Sequence, residues 1–456
     1  MKVTRRVFLK TSGLALASVG VAPVLGPQWL RSAAFAAEAG RAKGKILICL
    51  FQRGAVDGLS MVVPHGDPYY YQHRPLGPAG IALARTGAQG VLDLDGTFGL
   101  NPALKALKPI YDAGHFAPIQ AVGSPSASRS HFDAQDYMEL ATPGSKSADQ
   151  GWLARVLAAC PEDTANGKNQ GGLIRAVSLT NQTPLSLKGA DDTLAFPNLN
   201  SFSIRDGSAA GGRKGGMVGA MPNTMGGDGF EGLYENAVGD VLHDTTRDPV
   251  NGDAVRSAGK EGFEALKMLE SIRAERYMAA NGATYPRSPL GGSLQQIAQL
   301  IKANVGLQIA FAECTGWDTH AGQGGAQGQL ARRLGDFGDS IGALYRDLGD
   351  RMSDVVILTM SEFGRTARQN GSGGTDHGHG TCFLALGGNI QGGKVLGKWP
   401  GLAPENLNDN RDLAVTTDFR DVFGEIAARH LGDRKLTATF PDYTATPGNF
   451  RGLLRV

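Results

Sequence analysis

The sequence predicts an α/β fold with a doubly wound, mostly parallel sheet and helices on both faces. Five short apolar runs have the composition of strands that are buried on both faces of a parallel sheet. Helical patterns alternate with these runs, as in the doubly wound class. Polar residues able to bind metals follow several of the runs. In open α/β sheets, ligands bind at this edge, outside the carboxyl ends of the strands.

The predicted elements can be placed along the chain. Strands are expected at residues 45–51, 116–122, 307–312, 355–360 and 382–386, and helices at 103–111, 261–278, 294–304, 327–352 and 418–430. Glycine contributes 65 residues, about twice the usual share of ~7%. A polar, glycine-rich tract at residues 198–232 predicts a long surface excursion. It is either a lid over a site or an insertion without a chemical role.

The N-terminus has the pattern of a twin-arginine signal peptide. Arg5 and Arg6 lie in a basic start, an apolar stretch follows at residues 14–25, and small residues at 33–37 suit signal peptidase. We expect cleavage after Ala36 or Ala37, export of the folded chain by the Tat translocase, and a periplasmic or secreted location. Spanning a bilayer needs roughly 20 apolar residues, so no stable membrane span is expected after cleavage.

Chain length, charge and cysteine content indicate the domain organisation and disfavour some classes of function. We predict a signal peptide at residues 1–37 and one α/β domain at 38–456, with an insertion at about 160–290. The net charge of +2 includes the basic signal, and no basic face indicates a nucleic-acid partner. The four cysteines are scattered without a CxxC pair. Three of them have apolar, strand-like neighbours, which favours buried free thiols over disulfides.

Candidate metal ligands and catalytic residues gather at the ends of the predicted strands. They are Arg53 and Asp57 after the first strand, Ser128, Arg129, Ser130, His131 and Asp133 after the second, Asp318 and His320 after the third, Glu362 after the fourth, and Asp376, His377 and His379 before the fifth. Carboxylates combined with imidazoles suit zinc and other borderline divalent metals, whereas carboxylates alone suit calcium or magnesium. The sequence therefore predicts one or two divalent metal ions here. Zinc is favoured, and calcium or magnesium is the alternative.

Five motifs resemble a known family. They are residues 53–59 (RGAVDGL), 128–132 (SRSHF), 316–320 (GWDTH), 361–366 (SEFGRT) and 376–380 (DHGHG). In this order they resemble the family catalogued as domain of unknown function 1501, over essentially the whole mature chain. That family is related to the alkaline phosphatase and sulfatase superfamily, which implies an alkaline phosphatase-like domain at 38–456. The resemblance implies a two-metal hydrolase fold, although a fold alone does not establish an activity.

The resemblance also implies a set of metal ligands. Asp57 matches the position of the superfamily's first metal-binding aspartate. Asp318 and His320 resemble a pair of ligands for one metal, and His379 resembles the late histidine that completes this shell.

The second metal's shell departs from the superfamily pattern. Glu362 falls where phosphatases and sulfatases carry the aspartate of an Asp-His pair, so Phe363 replaces an expected histidine ligand. Either His377 or Asp376 restores the second shell, or the protein holds a single metal.

The candidate nucleophile is Ser130, because phosphatases of this superfamily place serine or threonine at a helix start after the second strand. Free backbone N–H groups favour an oxyanion there. Ser128 is an alternative, and capping of the helix is the competing role for both serines. A sulfatase would need cysteine or serine, then proline two residues later and arginine four residues later. Residues 124–129 lack that spacing, which disfavours a sulfatase.

The resulting hypothesis is metal-assisted hydrolysis of a small anionic substrate, a phosphoester or a related sulfate ester. One metal would activate the Ser130 hydroxyl and the other would polarise the leaving oxygen. Arg53, Arg129 or Arg365 would pair with the anionic group, with Arg129 favoured. The main alternative is a non-catalytic secreted binding or assembly protein that retains the fold. A redox protein ranks last, since haem, iron–sulfur and dinucleotide motifs are missing from the sequence.

Overall fold

The computed structural model describes residues 44–160, 174–190, 193–199 and 276–455, together with 265, 268, 269 and 271–273. The chain divides into two compact units, Met1–Lys43 with Leu199–Arg276, and Gly44–Asn198 with Tyr277–Val456. The predicted signal peptide, nearly all of the glycine-rich tract and much of the predicted helix at 261–278 lie outside the described residues. The predicted domain boundaries stay a prediction.

The second unit contains the sheet and the helices around it. The strands are β1 (Ile46–Gln52), β2 (Val62–Val63), β3 (Leu92–Asp93), β4 (Gly99–Leu100), β5 (Phe116–Gly123), β6 (Ala176–Ser178), β7 (Thr193–Ala195), β8 (Ile309–Cys314), β9 (Val355–Met360), β10 (Thr381–Gly387) and β11 (Thr417–Asp418). The α-helices are α1 (Gly58–Met61), α2 (Tyr70–His73), α3 (Lys108–Asp112), α4 (His131–Leu140), α5 (Trp152–Ala159), α6 (Pro289–Lys302), α7 (Gln329–Leu348), α8 (Phe419–Arg429) and α9 (Leu436–Thr439). Short 3-10 helices lie at Pro102–Leu107, Leu185–Leu187, Gly349–Asp354, Pro404–Asn406 and Pro447–Asn449.

The main sheet has 8 strands in the order β11-β5-β10-β9-β1-β8-β6-β7. Its central strand β1 is parallel to β8 and β9. Only β10 runs in the opposite direction within this sheet, since it is antiparallel to both β5 and β9. The predicted α/β fold with a mostly parallel sheet is therefore confirmed. A separate sheet of 3 strands has the order β2-β4-β3.

Both faces of the main sheet are covered. Leu47 and Phe51 of β1 belong to a buried core with Trp152 of α5 and Phe423 of α8, and the rings of these last two stack with centroids 4.2 Å apart. Side chains alternate between the faces of a strand, so Ile48 points to the opposite face. It is also fully buried, as expected for a central strand of a parallel sheet.

The predicted elements agree with the structure in place but not always in length. The predicted strand at 355–360 coincides with β9, and the other four predicted strands shift by at most two residues at an end. Helix α6 begins earlier than predicted because the Ser288 side chain caps it and Pro289 occupies its first turn. The predicted helix at 103–111 is divided into a 3-10 helix and α3, with non-helical dihedral angles at Leu104.

The strand directions bring distant segments of the chain to one edge. The carboxyl ends of β1, β5, β8 and β9 lie at the same edge of the sheet, and the reversed strand β10 begins there. The loops that carry the predicted site residues are therefore neighbours in space. In the part of the chain that is described, no helix is both long and apolar enough to cross a membrane.

Candidate metal centre

Four polar side chains meet at this edge of the sheet, and we call them the histidine cluster: His131, Asp318, His320 and His377. His131 is the first residue of α4, and the other three lie in the loops after β8 and before β10. Within the cluster, His131, Asp318 and His377 each offer a ligand atom, and these atoms lie within 4.8 Å of one another. We call these three residues the metal triad.

The distances within the metal triad fit a bound metal ion. The Nε2 atoms of His131 and His377 are 3.0 Å apart. Asp318 Oδ1 lies 3.2 Å from His377 Nε2, and Asp318 Oδ2 lies 3.5 Å from His131 Nε2. Zinc binds nitrogen and oxygen ligands at about 2.0–2.2 Å in a tetrahedral arrangement, which places neighbouring ligand atoms about 3.4 Å apart. The donor set and its spacing therefore suit zinc or a similar divalent ion.

His320 lies beside the metal triad. Its Nε2 atom is 3.0 Å from Asp318 Oδ1 and 3.0 Å from His377 Nε2. Its side chain is 45% exposed, so it borders the solvent side of the cluster. It can act as a fourth ligand or as a polar neighbour of a molecule bound at the centre.

Each imidazole of the cluster is oriented by a hydrogen bond at its other nitrogen. His131 Nδ1 is 2.8 Å from Glu362 Oε1, and His377 Nδ1 is 3.0 Å from the Arg129 carbonyl oxygen. His320 Nδ1 is 3.0 Å from Asp376 Oδ1. Metal-binding histidines characteristically use a carboxylate or a backbone carbonyl in this way, which fixes the tautomer and directs the free nitrogen to the metal.

These partners determine where the protons lie. A carbonyl oxygen only accepts hydrogen bonds, so His377 Nδ1 donates to Arg129 and the neutral ring has a bare Nε2. Glu362 likewise accepts from His131 Nδ1. Two Nε2 lone pairs at 3.0 Å would repel each other unless a proton or a cation lay between them. A metal ion would take the place of such a proton.

The pKa shifts agree with this arrangement. The hydrogen bond to Glu362 raises the pKa of His131 above its usual value. Burial lowers the pKa of His377, and the neighbouring charge of His131 lowers it further. For Asp318, burial alone would raise the pKa, but the hydrogen bond and charge of Arg365 hold it below its usual value. The cluster thus contains an ionised carboxylate and a neutral His377.

Glu362 is an outer partner of the cluster and is itself held firmly. Its Oε1 atom accepts hydrogen bonds from the backbone N–H of Gly54 at 2.8 Å and from Gln135 at 2.9 Å. Burial alone would raise its pKa, but the hydrogen bonds from His131, Gln135 and the backbone lower it. Gly54 has φ +116°, and a Cβ there would lie 2.9 Å from the Asp318 backbone nitrogen. Glycine therefore allows this loop to approach Asp318.

Asp57 lies in a different environment, which we call the Asp57 network: Asp57, Ser60, Arg74 and Gln323. Arg74 NH1 and NH2 donate to the two Asp57 oxygens at 2.7 and 3.0 Å, and Gln323 Nε2 donates to Oδ2 at 2.6 Å. Asp57 and Arg74 are both buried. Burial alone would raise the Asp57 pKa, but the Arg74 charge holds it below its usual value. A guanidinium thus binds both oxygens of the carboxylate to which the resemblance gives a metal-ligand role.

His379 and Phe363 also lie outside the metal triad. His379 Nε2 donates to the Ser124 carbonyl at 2.9 Å, so this nitrogen is not free to bind a metal. The Phe363 ring stacks on His131 with centroids 4.9 Å apart and is nearly fully buried. An apolar ring therefore forms one wall of the cluster at the position where the resemblance implies a histidine.

The structure also places the candidate catalytic residues. Ser130 is the N-cap of α4, and its side chain accepts from the Asp133 backbone N–H at the long distance of 3.5 Å. The Arg129 guanidinium pairs with Asp412 Oδ2 at 2.6 Å and with Asp409 at 3.1 Å. Both residues directly precede His131 and so lie beside the cluster.

The other two candidate arginines are engaged by the protein. Arg365 is fully buried and donates to Asp318 at 2.6 Å. Arg53 pairs with Glu139 at 2.9 Å and with Glu313 at 2.5 Å. These partners satisfy the guanidinium charges within the fold.

One residue of the metal triad was absent from the predicted ligand set. His131 was noted in the sequence beside Ser130, but the resemblance assigned it no ligand role. Its position in the sequence could have indicated a ligand role, because it follows a strand end just as Asp318 does. The Arg74 and Gln323 partners of Asp57 carry no motif, so only the fold reveals them.

Comparisons with known proteins address the family. The family model described as protein of unknown function (DUF1501) matches residues 252–438. The resemblance to this family is confirmed over these residues, which contain three of the five motifs, whereas the motifs at 53–59 and 128–132 lie outside them. The DUF1501 match includes Asp318, His320 and His377, whereas His131 precedes it.

Solved structures and curated proteins were compared as well. The chain is similar to the PsFucS1 sulfatase from Pseudoalteromonas sp., with 11% identity over 95% of this chain and 78% of that chain, and a TM-score of 0.36. No curated protein matches the chain. The mostly parallel sheet itself is the arrangement that an alkaline phosphatase-like fold implies.

Proposed function

We propose that this protein is an exported, metal-dependent hydrolase that acts on phosphoesters or related sulfate esters. The observation that carries the proposal is the metal triad. Two imidazole Nε2 atoms and a carboxylate converge within 4.8 Å, and both imidazoles are oriented through Nδ1 by Glu362 and the Arg129 carbonyl. Such outer hydrogen bonds are characteristic of metal-binding histidines.

The donor set supports a catalytic site for one ion. Catalytic zinc sites commonly have three protein ligands and keep a fourth position for water or substrate. His131, Asp318 and His377 would hold the ion, which we propose to be zinc. Once bound, a divalent ion here would lower the pKa of a coordinated water and polarise an ester oxygen.

The chain's own residues would orient these groups. Arg365 holds Asp318 from the buried side at 2.6 Å, and Glu362 holds His131 at 2.8 Å. The Ser130 hydroxyl is the proposed nucleophile, because it lies at the exposed start of α4. The N-terminal end of a helix favours negative charge.

A single metal differs from the two-metal mechanism implied by the resemblance. The Asp57 carboxylate is neutralised by Arg74 at 2.7 Å, and Phe363 stacks on His131 where a second histidine ligand was expected. We therefore propose that Asp57, Glu362 and His379 lie outside the metal's ligand shell. Export through the twin-arginine pathway to the periplasm or beyond remains part of the proposal.

A non-catalytic secreted binding protein is the second candidate. Among the described residues, the Ser130 side chain interacts with Asp133 and makes no hydrogen bond with the histidine cluster. If Ser130 only caps α4, the metal centre could bind a ligand without turning it over.

Metal analysis and an ester assay test the proposal. The full chain, purified without chelator, is expected to contain about one metal ion and to hydrolyse an aryl phosphate monoester, an aryl phosphate diester or an aryl sulfate. Asp318→Ala should remove both metal and hydrolysis. Ser130→Asn, which retains an N-cap residue, should keep the metal and lose hydrolysis.

A matched control and two contrary outcomes complete the test. His115 is a half-buried histidine whose ring contacts Tyr345 rather than the cluster, so His115→Ala should change neither property. A chain without metal would overturn the metal centre. A metal-bound chain that hydrolyses none of these esters would favour the binding protein.

A further inference from the structure

Two partly exposed arginines contact His377 of the metal triad, one through its side chain and one through its backbone. Arg411 donates through NH2 to the His377 carbonyl oxygen, and the Arg129 carbonyl accepts from His377 Nδ1 at 3.0 Å. The Arg411 side chain is 42% exposed, and that of Arg129 is 30% exposed. Both guanidinium groups therefore reach solvent next to the candidate metal centre.

A tight turn fixes Arg411 in place. Asp409 and Asn410 both have positive φ, at 55° and 53°, a conformation that aspartate and asparagine tolerate better than most residues. The turn is closed by hydrogen bonds from Arg411 N to Asn408 O at 3.0 Å and from Asn408 N to Asp412 O at 2.9 Å. Consecutive left-handed residues at a two-residue turn are typical of rigid hairpin connections.

One buried carboxylate serves both arginines. Asp412 is fully buried and pairs with Arg129 NH2 at 2.6 Å and with Arg411 Nε at 3.3 Å. Its Oδ1 atom accepts no hydrogen bond from the described residues, so the contact with Arg411 is an attraction between charges without hydrogen-bond alignment. The exposed Asp409 pairs with Arg129 at 3.1 Å, which leaves Arg411 as the less neutralised of the two.

The remaining donors of these arginines point to a ligand. Within the described part of the chain, NH1 of Arg411 and NH1 of Arg129 have no hydrogen-bond partner. Arg365, by contrast, is fully buried against Asp318 and Thr375. Of the arginines whose side chains contact a cluster residue, Arg411 is therefore the one that solvent and substrate can reach.

We propose that Arg411 binds the anionic group of the substrate, a tetrahedral oxyanion of the phosphate or sulfate class, next to the metal triad. Arg129, whose guanidinium pairs with the same Asp412 carboxylate, assists it. The planar guanidinium suits such oxyanions because its N–H groups can bind two oxygens at once. This inference rests on the proposed function, and it names the residue that would recognise the substrate's charge.

Oxyanion binding by the metal-loaded full chain tests this assignment. Inorganic phosphate and inorganic sulfate are titrated separately by calorimetry, and metal content is measured on the same samples. Arg411→Gln should weaken binding of the preferred anion about tenfold or more, since the variant loses a charge-assisted interaction with the oxyanion. Metal content should stay unchanged, and Arg411→Lys should recover part of the affinity.

Arg429→Gln is the matched control. Arg429 has a similar side-chain exposure of 33% and pairs with Glu425 at 3.0 Å, away from the cluster, so its loss should leave anion affinity unchanged. An Arg411→Gln chain that keeps its metal and binds the anion within twofold of the original would overturn the assignment. So would metal loss from both Arg411 variants, because it would show a structural role. Absence of metal from the unsubstituted chain would instead overturn the proposed function itself.

Discussion

The Asp57 network and the histidine cluster contain similar residue types but differ in how their charge is balanced. In the Asp57 network, a buried carboxylate receives two hydrogen bonds from a buried guanidinium, at 2.7 and 3.0 Å. In the histidine cluster, two imidazole nitrogens face each other at 3.0 Å, beside a carboxylate that is 39% exposed. In the Asp57 network, protein groups balance the charge of the carboxylate. In the histidine cluster, a bound cation would balance the carboxylate and separate the two facing nitrogens.

This difference shows why a carboxylate at a strand end is not sufficient evidence for a metal site. Asp57 and Asp318 both follow strands of the same sheet, and both have a lowered pKa. Asp57 is surrounded by donors that belong to the fold. Asp318 has Arg365 on its buried side and imidazoles on its open side. The partners in space, rather than the residue type, separate a structural ion pair from a candidate ligand.

The largest expected effect comes from removing a ligand of the metal triad. We expect His377→Ala to reduce metal affinity by more than about 100-fold, beyond the effect known for outer partners of metal ligands. Asp57→Asn should leave the metal content unchanged. Metal analysis after dialysis of both variants measures the contrast. Metal loss from Asp57→Asn together with retention in His377→Ala would reverse the assignment of the two sets.

The second prediction concerns the buried ion pair. Arg74→Met would leave the Asp57 carboxylate buried without its cation, and we expect a loss of about 3–5 kcal/mol in the free energy of unfolding. Lys45→Met removes an exposed partner of Asp354, with the Lys45 side chain 43% exposed, and should cost about 0–1 kcal/mol. Urea unfolding compares the two variants. Equal losses would contradict the structural role of the Asp57 network.

The pH dependence provides a control for the same pair. The Asp57 pKa is lowered from 3.8 in the folded protein, so its contribution is present above that value and is lost as the pH falls through the folded pKa. In Arg74→Met the buried Asp57 carboxyl lacks its cation, so burial should raise its pKa. The stability difference between this variant and the unsubstituted protein should therefore be largest above that raised pKa and shrink as the pH falls through it. A difference that grows as the pH falls would contradict this role of the Asp57 carboxylate.

The third prediction concerns an outer partner of the cluster. Glu362→Gln removes the charge that orients His131 through the 2.8 Å hydrogen bond, and we expect metal affinity to fall by about 10–100-fold. Glu313→Gln is a suitable control, because Glu313 pairs with Arg53 at 2.5 Å and does not contact the cluster. Competition with a chelator of known affinity measures both. Equal metal affinities for the two variants would show that Glu362 does not support the metal centre.

The sequence predicted the sheet better than it predicted the ligand set. Apolar runs such as residues 355–360 depend on local composition, and that strand appears at the predicted residues as β9. The ligand set depends on which loops meet, and the reversed direction of β10 helps bring His377 to His131. No local pattern indicates that reversal, nor that Arg74, 17 residues after Asp57, turns back to neutralise it. The sequence shows the type of each site residue, but it does not show which residue each of them contacts in the fold.

The smallest expected effect on stability concerns Ser130 beside the histidine cluster. Its substitution separates its helix-capping role from its proposed catalytic role. Its side chain caps α4 through a long 3.5 Å hydrogen bond to the Asp133 backbone. Ser130→Ala should therefore cost about 0.5–1 kcal/mol in the free energy of unfolding, and Ser130→Asn should restore most of it. Urea unfolding with metal analysis measures both variants. Metal content should not change, since the capping oxygen makes no hydrogen bond with the cluster among the described residues. Metal loss in Ser130→Ala that Ser130→Asn reverses would mean that the cap positions His131, and the stability of α4 would then be part of the metal centre.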